Sequence, residues 1–152
     1  MEKHEESLEL ANKHFQIADH FLYMTFPLIK ENKLLLKIIE EISLSILNTI
    51  NAVLQFEYLY KRIQIYSSSR DNLETFKQIS KRYSISSEQL QNLLKILELT
   101  RKHKESKFEF SKSDKIVIMT DGFPETLTEE KTKLFLSETR DFIKKARIKL
   151  RK

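Results

Sequence analysis

The sequence has no cysteine, no tryptophan, a single glycine and two prolines in 152 residues. Without cysteine there is no disulfide, no thiolate metal site and no cysteine nucleophile. With Gly122 as the only glycine, neither G-x-G-x-x-G nor G-x-x-x-x-G-K is present, which excludes a glycine-built phosphate cradle. Turn-rich β sandwiches and barrels also draw on many glycines at positive backbone angles. Long apolar runs are missing too. The longest uncharged stretch, 42–56, is interrupted by Ser43, Ser45, Asn48, Thr49, Asn51 and Gln55, whereas a spanning helix needs ~20 mostly apolar residues. The first seven residues are polar and lack the apolar core of a signal peptide. The expectation is a cytoplasmic, mostly helical single domain over residues 1–152, long enough to bury a core.

Charge is plentiful and unevenly placed. There are 27 Lys and Arg against 22 Asp and Glu, a formal charge of +5 with an isoelectric point near 9.3. Residues 1–30 hold three lysines against five acids, and residues 31–66 are balanced. Residues 67–107 carry nine basic and five acidic side chains, and residues 108–152 carry eleven and eight. A basic second half suits an anionic partner such as RNA, and a solubilising lysine-rich surface has the same composition.

Periodicity predicts five helices. The first runs from Glu5 to Thr25, with Leu8, Ala11, Phe15, Ala18 and Leu22 on one face and a break or a turn at Pro27. The second, from Lys33 to Ile63, is apolar nearly all round, with Leu35, Ile38, Ile39, Ile42, Ile46, Ile50, Val53 and Phe56 as its main stripe. Such a helix is central, touched by several neighbours or by a second subunit. Its least apolar stripe is uncharged in the middle, and Ser45, Asn48, Asn51, Ala52 and Gln55 are the candidate homodimer interface, with Asn48 and Asn51 expected to bond between helices. The third helix spans residues 71–82, capped by Asp71 or Ser69. Ile85, Ser86, Gln89 and Leu90 combine a capping box with a hydrophobic staple and start the fourth, which ends near His103. Alternation over residues 107–119 predicts a small β-hairpin with Ser111–Asp114 as its loop, followed by a turn at 121–124. The last helix runs from Glu129 to Lys149, capped by Thr126 or Thr128. The expected fold is therefore an all-α five-helix bundle with a long central apolar helix and a small β-hairpin before the last helix. Its helix ends are expected to rest on Ser, Thr, Asp and Pro instead of glycine.

No catalytic or metal constellation stands out. His4, His14, His20 and His103 lack metal-ligand spacing on a helix, and no nucleophile elbow accompanies the serines. No cofactor is expected. Asp19, His20 and Tyr23 lie close on the first helix and form a candidate polar cluster. The stronger feature is basic. Arg101, Lys102, His103 and Lys104 end the fourth helix, and Lys144, Lys145, Arg147 and Lys149 crowd the last one ahead of Arg151 and Lys152. These are candidate contacts to RNA or another anion, and also the cations that a helix C-terminus favours. Residues 76–97 have helix–turn–helix proportions, which would make Gln91 and Asn92 base-reading residues of a DNA-binding protein. Most of that second helix is apolar and reads as core.

The strings LLLKIIEEISLSILNTINAVLQFEYLYKRI and LFLSETRDFIKKARIKL, with the amphipathic helices between them, resemble the HEPN superfamily of small helical bundles. That resemblance implies a dimer acting on RNA or beside a nucleotidyltransferase partner, including roles in toxin–antitoxin pairs. Catalytic members carry an Arg and a His separated by four to six residues. No Arg here has a His at that distance, and Arg101-Lys102-His103 is too tight, so the resemblance implies a non-catalytic or diverged member. Ala18-Asp19-His20 with Tyr23 is also similar to uncharacterised small archaeal proteins. The resulting expectation is a non-catalytic binding or scaffold module, homodimeric, touching RNA or another anion through its basic C-terminal half. A diverged HEPN-type ribonuclease using Arg101 and His103, or the Asp19, His20 and Tyr23 cluster, and a helix–turn–helix DNA reader, are the alternatives.

Overall fold

A computed structural model describes residues 2–120 and 122–151. It is mostly helical: α1 (Lys3–His20), a π turn (Phe21–Thr25), the short α2 (Phe26–Ile29), α3 (Leu34–Leu59), α4 (Ser69–Ile79), a 3-10 turn (Ser80–Tyr83), α5 (Ser87–Glu105) and α6 (Glu129–Leu150). Between α5 and α6 lie β1 (Phe108–Lys112), β2 (Lys115–Met119) and β3 (Glu125–Thr128). Among the described residues, no helix is long and apolar enough to cross a membrane.

The apolar stripe of α3 is buried along its length, and α1, α4, α5, α6 and β3 all pack on this helix. Its closest partner is α1. His14 meets Glu41, Ser45 Oγ donates to the Ala11 carbonyl at 2.7 Å, and Ser7 Oγ donates to Gln55 Oε1 at 2.9 Å. Rising numbers on one helix meet falling numbers on the other, so the pair is antiparallel. Ala11 and Ala18 repeat every seven residues, as do Ser45 and Ala52, and all four are fully buried. Small side chains on both sides let a hydroxyl reach the neighbouring backbone.

This seam corrects the expected dimer face. Ser45 and Ala52 are covered by the chain's own α1, and Gln55 is bonded to Ser7. Asn48 donates to Leu44 of its own helix, and Asn51 is exposed. The polar contacts between helices come instead from Ser45, Gln55, Glu41 and the buried Ser43–Thr100 hydroxyl pair.

Helix ends show what replaces glycine. Pro27 does not end the first helix: a π turn, closed by the Phe26 amide on the Phe21 carbonyl, precedes it, and Pro27 falls in the first turn of α2, where its missing N–H is harmless. The chain leaves the helix at Lys30, whose amide donates to the Phe26 carbonyl at 2.7 Å with φ 53°. At the end of α3, Arg62 N–H reaches the Glu57 carbonyl and Lys61 N–H the Tyr58 carbonyl, a Schellman motif with Lys61 at φ 59°. The same motif closes the 3-10 turn, with Ser84 at φ 60° and the Ile85 amide on the Ser80 carbonyl. Lysine and serine thus occupy these three left-handed helix-end positions where glycine is usual, Ser113 takes a fourth in the hairpin turn at φ 57°, and Gly122 is not at a positive φ. N-termini follow the sequence more closely. Ser86 accepts from the Gln89 amide, Thr128 accepts from the Lys131 amide, and Ser68 caps α4, displacing its expected start at Asp71.

The hairpin is part of a three-stranded antiparallel meander, ordered β1-β2-β3. Its turn is the two residues Ser113-Asp114, and β3 pairs Ile116 with Leu127. Ile116, Ile118 and Leu127 are fully buried on one face. Asn32 in the α2–α3 connection clasps the hairpin, its Nδ2 donating to Ser111 Oγ at 2.7 Å and to the Ser113 carbonyl at 3.0 Å. β3 passes into α6 without a loop, since Thr128 ends one element and caps the next.

A left-handed conformation costs an L-residue roughly 1–2 kcal/mol, against about 0.5–1 kcal/mol for glycine's extra backbone entropy. Lys30→Gly, Lys61→Gly and Ser84→Gly are each expected to raise stability by about 0.5–1 kcal/mol in urea titrations, while alanine at the same positions gives no gain.

Candidate functional site

The last turn of α3 carries Glu57, a carboxylate at the helix end where the dipole disfavours negative charge. Its side chain is 3% exposed. Two structural motifs bring its partners. The Schellman turn at Lys61 folds the chain back so that Arg62 donates to Glu57 Oε2 from Nε at 3.1 Å and from Nη2 at 2.8 Å. The 3-10 turn supplies Arg82, whose Nη1 donates to Oε1 at 2.7 Å, and Tyr83, whose hydroxyl donates to Oε2 at 3.2 Å. One carboxylate therefore ties the end of α3 to the connection between α4 and α5.

Burial alone pushes the Glu57 carboxyl up, but the hydrogen bonds from Arg62 and Arg82, the Arg62 charge and the Tyr83 hydroxyl outweigh it and hold the group below its ordinary range. Burial, with the neighbouring Glu57 charge and hydrogen bond, pushes the Tyr83 phenol well up, so it stays a donor at neutral pH. Arg62 also lies over aromatic rings, its guanidinium carbon 5.1 Å from the Tyr60 centroid and 5.7 Å from that of Phe56. Together with Lys149 of α6, these residues line an open cleft of about 670 Å³. Arg62 and Arg82 are about half exposed, with N–H groups that Glu57 does not occupy. Two arginines bond one carboxylate and Lys149 lines the same cleft, and the chemistry this supports is anion binding.

The residues singled out in the sequence are distributed differently. Arg101 is bonded to Glu98 and Glu105, and Lys102 to Glu125 at 2.9 Å. His103 is held between Glu109 at 2.6 Å and Glu40 at 3.1 Å, which joins α5, β1 and α3. Lys104 borders a groove between α3, α4 and α5. On α6, Lys145 is bonded to Gln89 and Asp141, Lys144 is exposed, Arg147 lines a second cleft with Glu2, Glu5 and Glu9, and Lys149 joins the Glu57 cleft. The α5 and α6 cations thus do not form one continuous basic surface. Lys152 lies outside the described residues, as does Asp121 of the expected turn.

Asp19, His20 and Tyr23 each turn to a different neighbour. Asp19 pairs with Arg140 at 3.3 Å, Lys133 Nζ sits 5.4 Å from the Tyr23 centroid, and His20 leans on Phe21. Gln91 is exposed and Asn92 half-buried on α5. Among the described residues, no group of three or more His, Asp and Glu side chains is placed to hold a metal ion.

Sequence reasoning missed Glu57, Arg62, Arg82, Tyr83 and Tyr60 as a unit. A signal was present: a lone acid in the last turn of an apolar helix needs cations to offset the dipole, and Arg62 stands five residues on.

A folded-state depression of the Glu57 carboxyl contributes stability above its ordinary unfolded value, and that stability is lost as pH falls through the folded value. Glu57→Gln is expected to lower stability at pH 7 by about 2–3 kcal/mol, the arginines being exposed enough to recover water. The gap to the parent protein should close as pH falls from the ordinary carboxylate range through the lowered folded value, read from denaturant midpoints along the pH series. Set against known proteins, the chain matches no family model and no curated sequence.

Proposed function

We propose that the chain is a non-catalytic helical binding module that works as a homodimer, two copies packing across the groove between α3, α4 and α5. The observation that carries this reading is the apolar lining of that groove. Leu44 is 36% and Leu47 is 44% exposed on α3, and half-buried Leu73, Leu94 and Leu97 complete the wall. The groove measures about 590 Å³ and is bordered by Glu40 and Glu98 and by Lys77, Arg101 and Lys104. A rim carrying both signs favours a second copy of the same chain, because a two-fold axis sets acids of one copy against bases of the other. A nucleic acid on this face would meet the same acids. The leucine wall also accounts for the all-round apolar character of α3, which its own bundle does not fully cover.

The non-catalytic part rests on Arg101 and His103. Each is held between two carboxylates, Glu98 and Glu105 for the first and Glu40 and Glu109 for the second. Acidic partners at both residues repel an RNA phosphate and occupy the donors that a ribonuclease would direct at it.

Light scattering on the full chain at high micromolar concentration is expected to give twice the monomer mass, and Leu47→Glu to give the monomer with unchanged circular dichroism; a strict monomer in the parent protein overturns the reading. His103→Ala is expected to leave RNA-cleavage assays at background in both proteins. It should cost about 1–2 kcal/mol of stability through the lost Glu40 and Glu109 bonds, measured by urea denaturation.

A further inference from the structure

We infer that the cleft over Glu57 is a binding site for a phosphomonoester joined to an aromatic base, a nucleoside 5′-phosphate either free or at the end of an RNA strand. The inference is independent of the dimer: the cleft is formed by α3, the 3-10 turn and α6, away from the leucine groove.

Three observations converge on this ligand. The first is charge. The lining of the cleft contains Arg62, Arg82 and Lys149, and Glu57 is its one acid. Glu57 holds an arginine on each oxygen, Arg62 on Oε2 and Arg82 on Oε1, with Tyr83 also on Oε2, so its charge is already matched within the cleft. Lys149 has no ion-pair partner among the described residues and is exposed. The neighbouring cleft offers Arg147 and Arg151 but sets Glu2, Glu5 and Glu9 beside them, Arg101 and Lys102 at the end of α5 are bonded to acids, and Lys104 shares its groove with Glu40 and Glu98. Among these basic places, the Glu57 cleft has the clearest cationic excess.

The second is geometry. A guanidinium fixed by a carboxylate on one edge presents its remaining N–H groups in a set direction, which suits the oxygens of a phosphate. Arg62 uses Nε and Nη2 on Glu57, and Arg82 uses Nη1, leaving N–H groups on both for a ligand. Holding two arginines beforehand removes side-chain entropy that a phosphate would otherwise have to offset on binding.

The third is the aromatic wall. Tyr60 is 52% exposed although it packs on Phe56, at 4.9 Å between ring centroids. With the Arg62 guanidinium carbon over its ring at 5.1 Å, it offers an aromatic and guanidinium surface of the kind on which bases stack. Inorganic phosphate alone would leave this platform unused.

Calorimetric titration of the full chain tests the site with four probes: inorganic phosphate, AMP, a 5′-phosphorylated RNA hexamer and the same hexamer with a 5′-hydroxyl. AMP or the phosphorylated hexamer is expected to bind more tightly than inorganic phosphate, weakening as salt rises. Tighter AMP identifies a free nucleotide as the source, and a tighter phosphorylated hexamer identifies an RNA end. Arg82→Gln and Lys149→Gln should each weaken binding by about tenfold or more, and Lys149→Gln does so with an unchanged melting temperature. Tyr60→Leu should weaken AMP by about tenfold and leave inorganic phosphate unaffected. The inference is overturned if neither AMP nor the phosphorylated hexamer binds, if the 5′-hydroxyl hexamer binds as well as its phosphorylated form, or if binding survives Lys149→Gln unchanged.

Discussion

The close approach of α1 to α3 is the constraint on which the rest of the architecture depends. Ala11, Ala18, Ser45 and Ala52 leave room for the Ser45 hydroxyl to reach the Ala11 carbonyl, and larger side chains there would hold the helices apart. With α1 close on one side, α3 turns its bulkier Ile and Leu residues toward α4, α5, α6 and β3, which supply the rest of the core. Phe76 of α4 and Phe142 of α6, both fully buried at 5.6 Å between ring centroids, join the outer layers.

A helix buried this completely carries polar side chains into the interior, and each has been given a partner. Ser43 meets Thr100, Ser45 meets Ala11, Thr49 bonds back to its own turn, Glu41 takes His14 and Lys37, and Glu57 takes two arginines and a tyrosine. Among the described residues, no buried side-chain nitrogen or oxygen lacks a hydrogen-bond partner. Gln89 shows how economical this is. Its amide closes the Ser86 cap, and its side chain bonds Asp141 and Lys145 of α6 instead of returning to the cap as a capping box would. A residue chosen by local rules thus also fastens two helices together.

What was legible in the sequence follows the range of the interaction. The helices showed in their 3.6-residue repeats, and the Ser86 and Thr128 caps in side chains three residues from the amides they accept. The hairpin was visible in β-branched alternation, but β3 was not, because Glu125-Thr126-Leu127-Thr128 contains one apolar residue and becomes a strand only by pairing with β2. Pro27 was read as a break or a turn, and the structure places a π turn just before it, with Pro27 in the first turn of α2. Arg101 and Lys102 read as a basic cluster in sequence, yet Glu98, Glu105 and Glu125 neutralise them in space. Glu57 and Arg82, 25 residues apart, gave no local pattern to connect them.

The sequence by itself determined the class of molecule: a mostly helical chain with side-chain N-caps, no disulfide and no glycine-built phosphate loop. Those properties follow from composition and from contacts within about one helical turn. The tertiary structure decided which face of α3 is sealed by α1, which is left as a leucine groove, and which cations stay free of acids. These depend on where distant residues meet, and a left-handed lysine or serine at three helix ends is what steers the chain into those meetings. A lone glycine count says that such turns are scarce in glycine; only the packed fold shows that Lys30, Lys61 and Ser84 make them regardless, because the contacts beyond each turn outweigh its local strain.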